Sequence, residues 1–348
     1  MRRLIFGTLV VLAVSLPTGC GAGDEPPDGE PAAVSSRSGD MPTGMLFLRH
    51  VRDQSITRID LASGESTTVS LPELAPGDPP FHLVETGGRL VFYGGSHTYS
   101  LDLDLKGPPQ DLGESWYFVP SGRDGRVWLT TLDPESPETV RDLEAVREVT
   151  VDGAVTVPET GRPPSEGPTI LAAVNDGLLF QEDNELNVWD PLAEKVAARL
   201  SGPFPADTHG NLVAWCRQEC PKLHITDVAT GHDLAISPSQ AFRFEETYDG
   251  AFSPGGALLA VPAVTSQGTH LEGHRHQVAL IDVKAGTARL VEGSELADDY
   301  PAMAWSPSGE WLFFSAGGGR IMAYRPGSDA AIILSAQAPA SFIDIAAS

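Results

Sequence analysis

The chain carries no G-x-S-x-G nucleophile elbow, no H-E-x-x-H zinc helix, no glycine-rich phosphate loop and no dinucleotide fingerprint. No catalytic residue can therefore be named from a linear motif, although catalysis gathered from several segments stays open. Positive charge is scarce. Against 47 Asp and Glu there are 23 Lys and Arg, a formal net charge of −24. Such a balance repels phosphate backbones and argues against a nucleic-acid partner. The acids form no long run, so they read first as solvent-facing strand and turn positions. After residue 16 no long apolar stretch occurs, so no later membrane-spanning helix is expected.

What is present begins with punctuation. The chain has 36 Gly and 29 Pro without a collagen period, while 41% of residues are hydrophobic and 20% charged. That composition favours a globular chain of many short strands and turns. At the N-terminus, Arg2 and Arg3 precede the apolar run 4–16, which is too short to span a bilayer and suits a signal-peptide core. The run ends in P-T-G-C-G, with Gly19 before Cys20. This resembles the lipobox of bacterial lipoproteins, departing from it at Pro17, where that family has Leu. The resemblance implies cleavage after residue 19 and lipidation of Cys20; the alternative is ordinary cleavage and secretion. Residues 20–43 then read as the lipid anchor with a Gly-, Pro-, Ser- and acid-rich tether, and residues 44–348 as the folded domain.

Within that domain one phrase recurs. A glycine, one variable residue and an apolar strand appear at Gly44, Gly88, Gly125, Gly177, Gly210, Gly256 and Gly309, about 44 residues apart on average. A short apolar strand usually precedes the glycine. A third strand often ends in Asp and a turn, as at Asp60, Asp190, Asp227 and Asp282, and a fourth completes the unit. Four short strands at this period make one propeller blade. The expected fold is all-β: seven four-stranded antiparallel blades. The ring is closed by residues 341–348 pairing with 45–49, which removes the open edges. The phrases A-F-S-P-G-G-A-L-L-A at 251–260 and A-W-S-P-S-G-E-W-L-F at 304–313 resemble the F-S-P-D-G repeat of WD40-like, TolB-type propellers. Gly255 and Ser308 stand where that family has Asp.

Long loops are expected on one face, at 132–145, 159–168, 237–247 and 263–277. His270, His274 and His276, with Glu272, could bind a divalent metal; the plainer reading is a polar loop that contains histidines, and no cofactor is otherwise expected. Cys216 and Cys220, in an exported chain, read as a disulfide stapling a hairpin, the alternative being a zinc site with His209 or His224. Asp298, Asp299 and Tyr300 form a candidate ligand face at a channel mouth. The tryptophans on predicted strands read as packing between blades. The expectation is a monomeric, membrane-anchored extracytoplasmic propeller that binds an envelope protein or a cell-surface component. A propeller hydrolase or lyase with its site at the channel mouth is the alternative.

Overall fold

Each repeat turns on a residue in the left-handed region. The φ angles of Gly88, Gly125, Gly210, Gly256 and Gly309 lie between 57° and 72°, a conformation that carries no penalty only without a Cβ. At Gly177 the left-handed position falls instead on Asn175, at φ 46°; Asn tolerates it through its short polar side chain. The apolar runs on either side of these turns form antiparallel ladders.

The computed structural model describes residues 41–348 apart from 51–53, 72–82, 133–142, 166–167, 176, 183–184, 240, 246–249, 267–273, 297–301, 318 and 335–343. Seven separate sheets follow one another along the chain, and no helix occurs among the described residues. Blade 1 orders its strands Asp344–Ala347, Met45–His50, Ser55–Asp60, Ser66–Ser70 from the inside outward. Blade 2 is Leu83–Thr86, Arg89–Gly94, His97–Asp102, Gln110–Glu114, and blade 3 is Tyr117–Pro120, Arg126–Leu132, Leu143–Thr150, Val155–Thr160. Blade 4 is Thr169–Val174, Gly177–Glu182, Glu185–Asp190, Lys195–Leu200, and blade 5 is Phe204–His209, Leu212–Cys216, Leu223–Asp227, His232–Ile236. Blade 6 has Leu258–Ser266, His274–Asp282 and Thr287–Glu295, with two short inner segments, Arg243–Phe244 and Ala251–Phe252, both paired to its second strand. Blade 7 is Met303–Trp305, Leu312–Ala316, Arg320–Tyr324, Ile332–Ile333.

The ring closes as the repeat pattern implies. Leu46 pairs with Ala347, Phe47 with Ala346 and Leu48 with Ile345. The Met45 N–H donates to the Ser348 carbonyl at 2.9 Å. A Cβ on Gly44 would stand 2.6 Å from that oxygen, which explains the glycine there.

The core is divided among the blade junctions. The described residues form seven buried clusters, each shared by two neighbouring blades. Alternation along a strand assigns its side chains. Leu46 and Leu48 pack against blade 7, whereas Phe47 between them packs against blade 2. Because both faces of an inner blade strand are covered, second strands read as unbroken apolar runs, as in Leu312–Ala316, rather than as alternation. The outer strands do alternate, as in Lys195–Leu200. Trp128, Trp189, Trp215, Trp305 and Trp311 all lie buried in these junctions, as expected from the sequence.

Two boundaries differ from expectation. The stretch 263–277 is not all loop: the second and third strands of blade 6 run on to Ser266 and start again at His274, nine residues paired against nine. Residues 237–247 contain the added segment Arg243–Phe244, which lies against Val264 and Ala263. The extra length of the blade 6 hairpin leaves unpaired backbone groups beyond Ala260, and this segment supplies partners for them.

Candidate functional site

Antiparallel order sends successive connections of a blade to opposite ends. The inner-to-second and third-to-outer turns lie on one face; the second-to-third loops and the crossings between blades lie on the other. The turn face is tightly tied. The Asp60 carboxylate accepts the Ala62 and Ser63 N–H groups at 2.9 and 3.0 Å, Asp190 those of Leu192 and Ala193, and Asp227 those of Ala229 and Thr230. Asp282 accepts from Ala285 at 2.8 Å. These four are the aspartates that the repeat pattern singles out. The Ser63 N–H holds the Asp60 carboxyl below the usual range.

A buried carboxylate braces blade 3 on the same face. Glu148 accepts the Ser121 and Thr156 hydroxyls at 2.6 Å each, and Arg126 lies 3.2 Å away. Burial pushes its pKa up, but these hydrogen bonds and the nearby guanidiniums outweigh burial and leave it below the usual range.

The opposite face carries the longest connections, and two grooves open on it. One, of about 570 Å³, is lined by Arg162, Pro163, Pro164, Ser165 and Glu182, where blade 3 crosses to blade 4. The other, of about 270 Å³, lies on blade 5 between Arg217, Pro221, Lys222 and His224.

The smaller groove rests on a hydrogen-bonded frame. Register places Trp215 opposite His224 across one hairpin, and Thr226 opposite Asp233 across the next. The Trp215 indole N–H donates to Thr226 Oγ1 at 2.8 Å, and the Thr226 hydroxyl donates to Asp233 Oδ1 at 2.7 Å. His224 Nδ1 lies 2.8 Å from Asp233 Oδ2, and its ring stacks on Trp215 with centroids 4.4 Å apart and planes 17° from parallel. The loop between the two strands is closed by a Cys216–Cys220 disulfide, with both cysteines buried. The cysteines are thus bonded to each other, the disulfide reading, whereas the zinc alternative with His209 or His224 would need both thiolates.

The other sequence candidates fare differently. His274 begins a strand and pairs with Ser266, while His270 lies outside the described residues. His276 Nδ1 is bound to Glu245 Oε2 at 2.9 Å, a partner from the preceding crossing that the sequence did not suggest. Among the described residues no three of His, Cys, Asp and Glu come together as a metal would require. Asp298, Asp299 and Tyr300, and Cys20, lie outside the described residues.

The inner strands contribute one further titratable group. The register slips between Pro205 and Asp207. Asp207 Oδ2 there accepts the Phe252 N–H of blade 6 at 2.5 Å. Burial outweighs this bond and the Thr208 N–H, and pushes the Asp207 pKa up to about 7.

The fold is that of a seven-bladed β-propeller, and WD40 domains are among the solved structures it is similar to. The chain superposes on the Neurospora crassa Pan2 WD40 domain with a TM-score of 0.55 at 12% identity, covering 84% of this chain and 88% of that one. It superposes on a candidate 6-phosphogluconolactonase from Bacteroides fragilis with a TM-score of 0.53 at 14% identity, covering 92% and 100%. A chain of the mitotic checkpoint complex gives 0.50 at 12% identity, covering 79% and 85%. At these identities the likeness is one of fold alone. No family profile matches the chain, and no curated protein is similar to it in sequence.

Proposed function

We propose that this chain is a cell-envelope lipoprotein whose propeller is a binding module, receiving an envelope protein or cell-surface component on its loop face. The observation that carries the reading is the inequality of the two faces. One is drawn tight by aspartate turns; the other bears the long connections and both grooves. The anchor rests on the sequence: the basic start, the short apolar run, Cys20 after Gly19, and a tether to residue 43. Two or more acyl chains on Cys20 would hold the ring stably at the outer surface of the membrane, and the tether would let it turn its loop face toward a partner.

Two experiments test this. With the wild-type chain, metabolic fatty-acid labelling should mark the protein and fractionation should place it with membranes; Cys20→Ser should abolish the label and release the chain. Label retained in Cys20→Ser would refute the anchor. Replacing loops 133–142 and 267–273 by Asn-Gly turns should leave the ring folded and remove whatever copurifies with the solubilised wild-type protein. Unchanged copurification would refute the loop face as the binding surface.

A further inference from the structure

We propose that the blade 5 groove is an oxyanion site whose ligand is a phosphoryl group. The argument starts from Asp233. An ionised carboxylate only accepts hydrogen bonds, and this one faces both the Thr226 hydroxyl and His224 Nδ1. The proton of His224 therefore sits on Nδ1, and Nε2 is the ring atom left for a ligand. Stacking on Trp215 fixes the plane of the ring. His224 is only 17% exposed, and what it exposes lines the groove.

The other walls are cationic. Arg217 and Lys222 both line the groove, and among the described residues neither side chain has an ion-pair or hydrogen-bond partner. Arg217 lies inside the loop that the Cys216–Cys220 disulfide closes, and Lys222 directly precedes the strand Leu223–Asp227 that carries His224, so both are tied to the frame beneath. A guanidinium fork and an ammonium offer charged N–H donors, and the imidazole Nε2 stands with them in the lining. That set suits the oxygens of a tetrahedral phosphoryl group, and about 270 Å³ is ample room for one. A metal cation does not suit a groove that already holds two cations. The acids facing the site are Asp233, neutralised by its two donors, and Glu219 on the same loop. The rest of the −24 net charge acts through solvent and is screened beyond roughly 8 Å at physiological salt.

The inference does not depend on the lipid anchor or on a protein partner, so it can fail while the proposed function stands. The test is a titration of the full chain with inorganic phosphate. Sodium chloride holds the ionic strength constant, and tryptophan fluorescence reports on Trp215. A saturable change is expected, absent with chloride. The double variant Arg217→Ala/Lys222→Ala should weaken it at least about ten-fold, since each charge-assisted bond is worth that much. Both residues are exposed, so this variant should unfold at the wild-type temperature. No saturable change, or an identical curve in the double variant, would overturn the proposal. A second arm separates the sources of the phosphoryl group. Retention on phosphatidylglycerol vesicles but not phosphatidylcholine vesicles would assign it to lipid. Saturation by glycerol phosphate without vesicle retention would assign it to a soluble or polymeric phosphate.

Discussion

Single residues decide several junctions, and each makes its own prediction. Gly256 has φ 67°, and a Cβ there would stand 2.5 Å from the His209 ring of blade 5. Gly256→Ala should cost at least about 1–2 kcal/mol from the backbone alone, read as a lower midpoint in urea. Asn187 is the opposite case. It is 1% exposed, and neither its Nδ2 nor its Oδ1 has a hydrogen-bond partner among the described residues. An unpaired buried amide is costly, so Asn187→Leu, of similar size, should stabilise the chain by about 1–2 kcal/mol. A loss of stability would mean that the amide is satisfied by bound water.

Asp207 sets a pH dependence with a definite sign. Its folded pKa of about 7 lies above the ordinary aspartate value of about 3.9. Between those limits the native state keeps a proton that the unfolded chain has lost. This group therefore lowers stability as pH rises from about 4 to about 7 and adds no further slope above that. Asp207→Asn can still accept the Phe252 N–H. Relative to wild type it should gain on the order of a few kcal/mol at about pH 8 and little at about pH 4. Urea melts across that range check it, and parallel pH profiles for the two proteins would contradict it.

At the scale of elements, the blade 5 hairpin shows what a sequence can and cannot convey. The disulfide was legible because three residues between two cysteines suit a closed turn and the N-terminal sequence reads as an export signal. Its loop is short, so replacing both cysteines by alanine should cost only about 2 kcal/mol and leave a folded ring, measurable by urea titration against wild type. The polar frame beside it was not legible. Trp215, His224, Thr226 and Asp233 meet only once the registers of two successive hairpins are known. Trp215 and His224 are equidistant only from the centre of the whole connection 217–222, which the cysteine spacing does not mark. Arg243–Phe244 is two residues long and carries no period to detect. Glu245 and His276 are 31 residues apart, joined by packing that no local pattern encodes.

At the scale of the molecule, the blade count and ring closure were legible for a physical reason. A left-handed turn requires glycine at nearly every repeat, and a strand covered on both faces requires an unbroken apolar run. The C-terminal strand carries that run and shares the blade 7–blade 1 core through Ile345 and Ala347. Truncation after residue 343 would expose the inner edge of Met45–His50 and the apolar side chains beside it. With residues 1–40 removed from both, the truncated chain should therefore aggregate on expression, whereas the untruncated domain stays in the supernatant, as a sedimentation assay would show. The ligand was not legible, because a propeller specifies its scaffold by repetition and its recognition by the segments that do not repeat.

The central claim is that the two faces differ in function. It is tested most directly by placing a photo-crosslinking residue singly at positions 137 and 270, within second-to-third connections, and at 63 and 284, within third-to-outer turns, in the full chain in intact cells. Mass spectrometry then identifies what is attached. One specific protein or cell-surface component should be captured from positions 137 and 270 and not from 63 and 284. Equal capture from both faces, or capture from the turn face alone, would contradict the account.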